Sequence, residues 1–170
     1  AVRERVGLID ITSFAKFEVS GPGAHAALDR LLANALPTAV GGIRLVHALT
    51  RRGGVRSEFT ITRLGPDHFY LVSSGAAERH DHDLLVKRLA APDVRVENLT
   101  SATGVLVVTG PRAREVLAPL TAADLSNAAF PWLTAREITL GMAGVRALRV
   151  NFVGELGWEL HHPIEVQNHL

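Results

Sequence analysis

The chain of 170 residues contains no cysteine, which excludes disulfides and thiolate metal sites while leaving the redox compartment open. It also lacks an excess of either charge. Eighteen basic and 17 acidic side chains leave a net charge of +1. Most of the cations are scattered arginines, so nothing marks a nucleic-acid partner. No run approaches the roughly 20 apolar residues of a membrane-spanning helix. No P-loop, G-x-S-x-G or G-x-G-x-x-G pattern occurs, so neither a Walker-type phosphate cradle nor a nucleophile elbow is on offer. The first residues, AVRERVGLID, hold neither an initiator Met nor the apolar core of a signal peptide. The last, EVQNHL, stop without a helix-ending signal. The expectation is a cytoplasmic piece of a longer protein. What is present is ordinary globular material, 47% hydrophobic and 21% charged, enough for a single domain over 1–170 with a sizeable core.

Within that length the chain echoes itself. Phe17-Glu18-Val19-Ser20-Gly21-Pro22 leads into a run whose apolar face includes Ala24, Leu28 and Leu31. Leu106-Val107-Val108-Thr109-Gly110-Pro111 leads into another, with Ala113, Leu117 and Leu120 at the matching positions. Each copy reads as a strand, a Gly-Pro turn and a helix with proline at its first position, where a missing N–H costs nothing. The repeat runs over about 15–98 and 104–170, and a duplication implies two similar sub-units about a pseudo-twofold.

Between the echoes the pattern is mostly that of strands. Arg44 to Thr50 and Val55 to Leu64 form a hairpin about Arg51-Arg52-Gly53-Gly54, and Phe69 to Ser74 follows. Ala77 to Leu89 reads as a helix and Val94 to Leu99 as a strand, while Arg136 to Leu140 pairs with Val145 to Phe152 across Gly141-Met142-Ala143-Gly144. Hairpins mixed with helices, without regular strand–helix alternation, give an α+β fold with antiparallel sheets.

The groups that could carry chemistry are few. His80-Asp81-His82-Asp83 has the composition of a metal cluster, but on a helix neighbours at i and i+2 point to different sides, so a solvated helix face is the better reading and no metal is expected. His161-His162 marks a strand end. Glu58 lies in an alternating run in which Arg56, Glu58, Thr60 and Thr62 share one face and Val55, Ser57, Phe59 and Ile61 the other. Patterning alone puts Glu58 on the wet side of an edge hairpin, beside Arg56. Glu155 and Glu159, inside the apolar, glycine-broken NFVGELGWELHHP, raise the question of a partner, because a carboxylate among apolar neighbours is costly alone.

LTRRGGVRSEFTITRLGPDHFYLVS, NLTSATGVLVVTGPRAREVL, FPWLTAREI and NFVGELGWELHHP together resemble the folate-binding domain of the aminomethyltransferase family, which includes the glycine-cleavage T-protein. The likeness is greatest to the C-terminal half of dimethylglycine and sarcosine dehydrogenases, and it covers nearly the whole chain in order. It implies that Glu159 holds the pterin ring of tetrahydrofolate, with Phe152 where relatives have a tyrosine beside that ring. Glu155 takes a turn or surface role. It further implies that Glu58 stands at the position of the T-protein's catalytic aspartate, and that Leu45 and Val72 match apolar or backbone folate contacts. A further family arginine lies beyond Leu170.

The implied activity is capture of an amine-derived iminium as 5,10-methylenetetrahydrofolate. The flavin (FAD) that generates the iminium belongs to a partner domain of the full-length protein, since this chain has no flavin-binding motif. Two other readings stay open: a folate-binding scaffold without chemistry, and a fragment of a T-protein aminomethyltransferase.

Overall fold

The computed structural model describes residues 2–152 and 154–170. In chain order the strands are β1 (Gly7–Asp10), β2 (Ala15–Ser20), β3 (Ile43–Leu49), β4 (Val55–Gly65), β5 (His68–Ser73), β6 (Arg95–Asn98), β7 (Thr103–Thr109), β8 (Ala135–Leu140), β9 (Ala143–Leu148) and β10 (Gly157–Pro163). The α-helices are α1 (Ala24–Leu31), α2 (Glu78–Arg88) and α3 (Ala113–Leu117). This is an α+β fold with two antiparallel five-stranded sheets. The chain divides into two compact units, one of residues 13–100 and one joining the stretch up to Thr12 to residues 101–170. Among the described residues no helix is long and apolar enough to cross a membrane.

Each unit owns one sheet. The orders are β3-β4-β5-β2-β6 and β8-β9-β10-β7-β1, so the same five places are filled in the same sequence of neighbours. The one change of route is at the edge: β6 follows β5 in the chain, whereas β1 comes from the N-terminal stretch.

The corners between β2 and α1 and between β7 and α3 are made alike. Gly21 (φ 111°) and Gly110 (φ 127°) both hold positive φ, a region open to glycine and strained for other residues. Gly21 N–H donates to the Asp67 carbonyl at 3.0 Å and Gly110 N–H to that of Leu156 at 2.7 Å, just ahead of β5 and β10. Ala24 N–H then returns to the Gly21 carbonyl at 2.8 Å, and Ala113 N–H to that of Gly110 at 3.0 Å. A Cβ would meet the Asp93 carbonyl oxygen at 2.2 Å in the first corner and those of Arg5 and Val2 at 2.5 and 2.6 Å in the second. The helices begin at Ala24 and Ala113, with Gly23 and Arg112 at the N-caps. Pro22 and Pro111 therefore sit in the turn and not at the first helical position: the tight return bonds to Gly21 and Gly110 take up the residue that each proline was expected to lead.

Alternation along the strands sends successive side chains to opposite faces. In the first unit Phe17, Val19, Val46, Phe59, Ile61, Phe69 and Leu71 pack with Leu28 of α1 and Leu84 and Leu85 of α2. In the second, Leu106, Val108, Val145, Ala147, Trp158 and Leu160 pack with Ala113 and Leu117 of α3. Each large side chain so buried contributes about 1.5–3 kcal/mol. The helices thus cover one face of each sheet, and the candidate strand residues Leu45, Glu58, Val72 and Glu159 stand on the other. The hairpin of β8 and β9 turns at Gly141-Met142, two residues tighter than the sequence pattern indicated, and β9 ends at Leu148, short of Phe152.

Candidate functional site

In the first unit, three of the expected residues share the sheet face turned away from the helices. Leu45 pairs with Thr60, Thr60 with Val72 and Val72 with Lys16, a single row across β3, β4, β5 and β2. Leu45, at the edge, is half exposed, while Val72 and Lys16 are buried. Two residues along the hairpin, Glu58 stands directly opposite His47. His47 Nε2 lies 2.9 Å from Glu58 Oε2, with the carboxylate side chain 54% exposed. Among the described residues Oε1 of Glu58 has no partner. Arg56, expected beside it, makes no ion pair with it and instead lines a cleft on the helix side with Ala27 and Leu84. The register shift between Ala48 and Leu49 breaks the strict alternation at the hairpin tip.

In the second unit, Glu159 lies on β10 opposite Val107 of β7 and Leu148 of β9. Its side chain is buried, and Oε2 lies 3.2 Å from Nε2 of His161, which is also buried. The two residues are two apart on one strand and therefore on one face, again the face away from the unit's core. That partner resolves the cost of sinking a carboxyl among apolar neighbours. Glu155 is part-exposed in the loop before β10, and Phe152, in the same loop, is 72% exposed. Glu58, Leu45 and Val72 thus belong to one unit and Glu159 and Phe152 to the other.

In the first unit, sequence patterning missed two contacts. His47 is the first: counting back from the turn at Arg51-Arg52-Gly53-Gly54 pairs it with Glu58, and that register was the available signal. The second is Asp81, which is not part of a solvated helix face. It is buried, accepting 2.7 Å hydrogen bonds from the hydroxyls of Ser57 and Ser73, with His80 Nδ1 at 3.0 Å. It ties α2 to β4 and β5 through the face that bears Ser57, opposite the one that bears Glu58. Among the described residues no carboxylate pairs with Arg149: it donates to the Phe130 carbonyl and to Asn127 Oδ1, and its guanidinium lies 5.7 Å from the Trp158 ring centroid. Burial, and then the nearby Arg114 cation, hold it below the usual arginine range.

A model of the GCVT N-terminal domain matches residues 1–170. Mitochondrial dimethylglycine dehydrogenase of Mus musculus is 40% identical over 163 residues, covering 95% of this chain and 19% of that protein. Mitochondrial sarcosine dehydrogenase of Homo sapiens is 33% identical over 178 residues, covering 96% of this chain and 19% of that protein. The crystal structure of glycine cleavage system aminomethyltransferase T from Bartonella henselae matches with a TM-score of 0.85 at 28% identity, over 99% of this chain and 45% of that one. The chain spans about one fifth of the length of the two dehydrogenases. By fold and by sequence, it belongs to the GCVT N-terminal domain family.

Proposed function

We propose that residues 1–170 form one tetrahydrofolate-binding domain of a longer N-methyl amine dehydrogenase, built from a repeated half, and that it captures an amine-derived iminium as 5,10-methylenetetrahydrofolate. The observation that carries this reading is the face shared by Glu58, Leu45 and Val72: a carboxylate with one oxygen unengaged, beside a row with apolar side chains, on the side of the sheet away from α1 and α2. The donor set suits the ligand. A pterin edge offers an N–H beside an NH₂, and the carboxyl of Glu159 offers two acceptor oxygens of which one faces His161. Phe152 offers an exposed ring for stacking. Tetrahydrofolate supplies the nitrogens that take up the one-carbon unit. Glu58 contributes a negative charge that stabilises the cationic iminium, and its free oxygen orients the receiving N–H and accepts its proton. The FAD that oxidises the amine lies in a partner domain outside this chain.

The exposure of Glu58 also supports a second reading, a folate-binding domain without chemistry, and a single set of variants separates the two. In the whole protein, Glu58→Ala is expected to lower the yield of 5,10-methylenetetrahydrofolate per amine consumed by about 10²-fold, with free formaldehyde in its place. Glu58→Asp retains more. An unchanged ratio in the Ala variant makes Glu58 a bystander and leaves the scaffold reading. Glu159→Gln is expected to weaken binding of a tetrahydrofolate analogue by about 1.5–3 kcal/mol in calorimetry, and Glu155→Gln by much less. Equal losses overturn the assignment of Glu159.

A further inference from the structure

We infer that His47 and Asn34 are positioning residues for Glu58, a conclusion that rests on the reading of Glu58 above and adds to it. His47 meets Glu58 across the hairpin, Nε2 to Oε2 at 2.9 Å, and its other nitrogen, Nδ1, faces Oδ1 of Asn34 at 3.2 Å. The same Oδ1 accepts the backbone N–H of His47 at 3.0 Å. Asn34 is itself held against β3. The Ala33 N–H donates to the His47 carbonyl at 2.9 Å, and Leu32 forms a bridge with Ala48. The chain leaving α1 therefore delivers one amide oxygen to one histidine.

The hydrogen-bonding roles follow from that oxygen. If the amide were turned over, its NH₂ would confront the backbone N–H of His47, donor against donor. The oxygen must face the histidine, so Nδ1 carries a hydrogen. Nε2 meets Oε2 in a hydrogen bond when it carries a hydrogen and donates to the carboxylate, or when Glu58 is protonated and its O–H donates to Nε2. The hydrogen bond between Nε2 and Oε2 pins Oε2 and leaves Oε1 for the ligand. The segment carrying Asn34 presents an amide here, and β4 presents Glu58, its other nearby charge, Arg56, being turned into the cleft on the helix side. His47 is part-exposed, so the arrangement is one of direction more than of packing.

The test uses the whole protein and measures the yield of 5,10-methylenetetrahydrofolate against free formaldehyde per amine consumed. His47→Ala is expected to lower the captured fraction about 10-fold, as a mis-aimed catalytic group does. His47→Gln offers an amide donor in place of the ring N–H, so it is expected to recover most of the capture. Combining His47→Ala with Glu58→Ala is expected to be no worse than Glu58→Ala alone, because His47 acts only through Glu58. If Glu58→Ala lowers capture but His47→Ala does not, or if the two losses multiply, the positioning role is overturned and the role of Glu58 stands. Failure of His47→Gln to recover capture above the His47→Ala level also overturns it. If Glu58→Ala itself leaves capture intact, the failure lies with the reading of Glu58.

Discussion

The two units carry the same sheet order and the same glycine corner, and each sets a glutamate–histidine pair on the face away from its helices. The pairs differ in depth. Glu159 and His161 have side chains 5% and 1% exposed, whereas Glu58 and His47 are 54% and 26% exposed. A buried pair is committed: each partner is what makes the other's burial tolerable. An exposed pair gains little from association because water competes for both groups. One scaffold thus provides a fixed carboxyl in one unit and an adjustable one in the other.

The largest expected effect comes from breaking that contrast. His161→Ala removes the partner of buried Glu159 and is expected to cost about 3–5 kcal/mol in denaturant unfolding. His47→Ala leaves Glu58 to the solvent and is expected to cost no more than about 1 kcal/mol. Equal losses would mean that depth does not govern the two pairs, and the assignment of different roles would lose its physical basis.

Next are the corners. Gly21→Ala and Gly110→Ala each place a side chain at positive φ and drive Cβ onto a carbonyl oxygen. Each is expected to cost about 1–3 kcal/mol from backbone strain, with the clash adding to it. The comparison sharpens if the losses match, since the corners share their bonds. A neutral substitution at either glycine would show that its corner can relax into a different turn.

Legibility in the sequence divides along the same lines. The corners were visible because Gly-Pro after an apolar run is a local signal, and the β3–β4 hairpin because its turn residues and alternation agree. The face of Glu58 followed from period-two counting. What escaped depends on contacts distant in the chain. Asp81 looked like one charge in a polar helix because its hydroxyl partners come from β4 and β5. Strand β1 was overlooked, because a four-residue strand beginning at Gly7 has little pattern of its own and is defined by pairing with β7. His161 lies near the end of β10, as expected of a strand end, but its pairing with Glu159 two residues away was not legible.

The smallest expected effect lies at the end of β1, the strand that fills in the second unit the place β6 fills in the first. Asp10 accepts the backbone N–H of Thr12 at 2.8 Å through Oδ1 and the side-chain N–H of Gln167 at 3.1 Å through Oδ2. The Thr12 side chain and backbone, in that order, hold its carboxyl below the usual aspartate range, and His162 and Gln167 add to this. A folded-state value below the unfolded one means that the contribution is present above about pH 4, the ordinary aspartate value. It is lost as pH falls through the lower folded value. Asp10→Asn keeps an acceptor for Thr12 but removes the titration. It is expected to change stability at neutral pH by no more than about 0.5 kcal/mol, as exposed substitutions do. Its unfolding free energy should fall less steeply than that of the parent between pH 4 and pH 2. Identical slopes over that interval would show that Asp10 is bonded as strongly when protonated as when ionised, and that the edge strand of the second unit gains nothing from its charge.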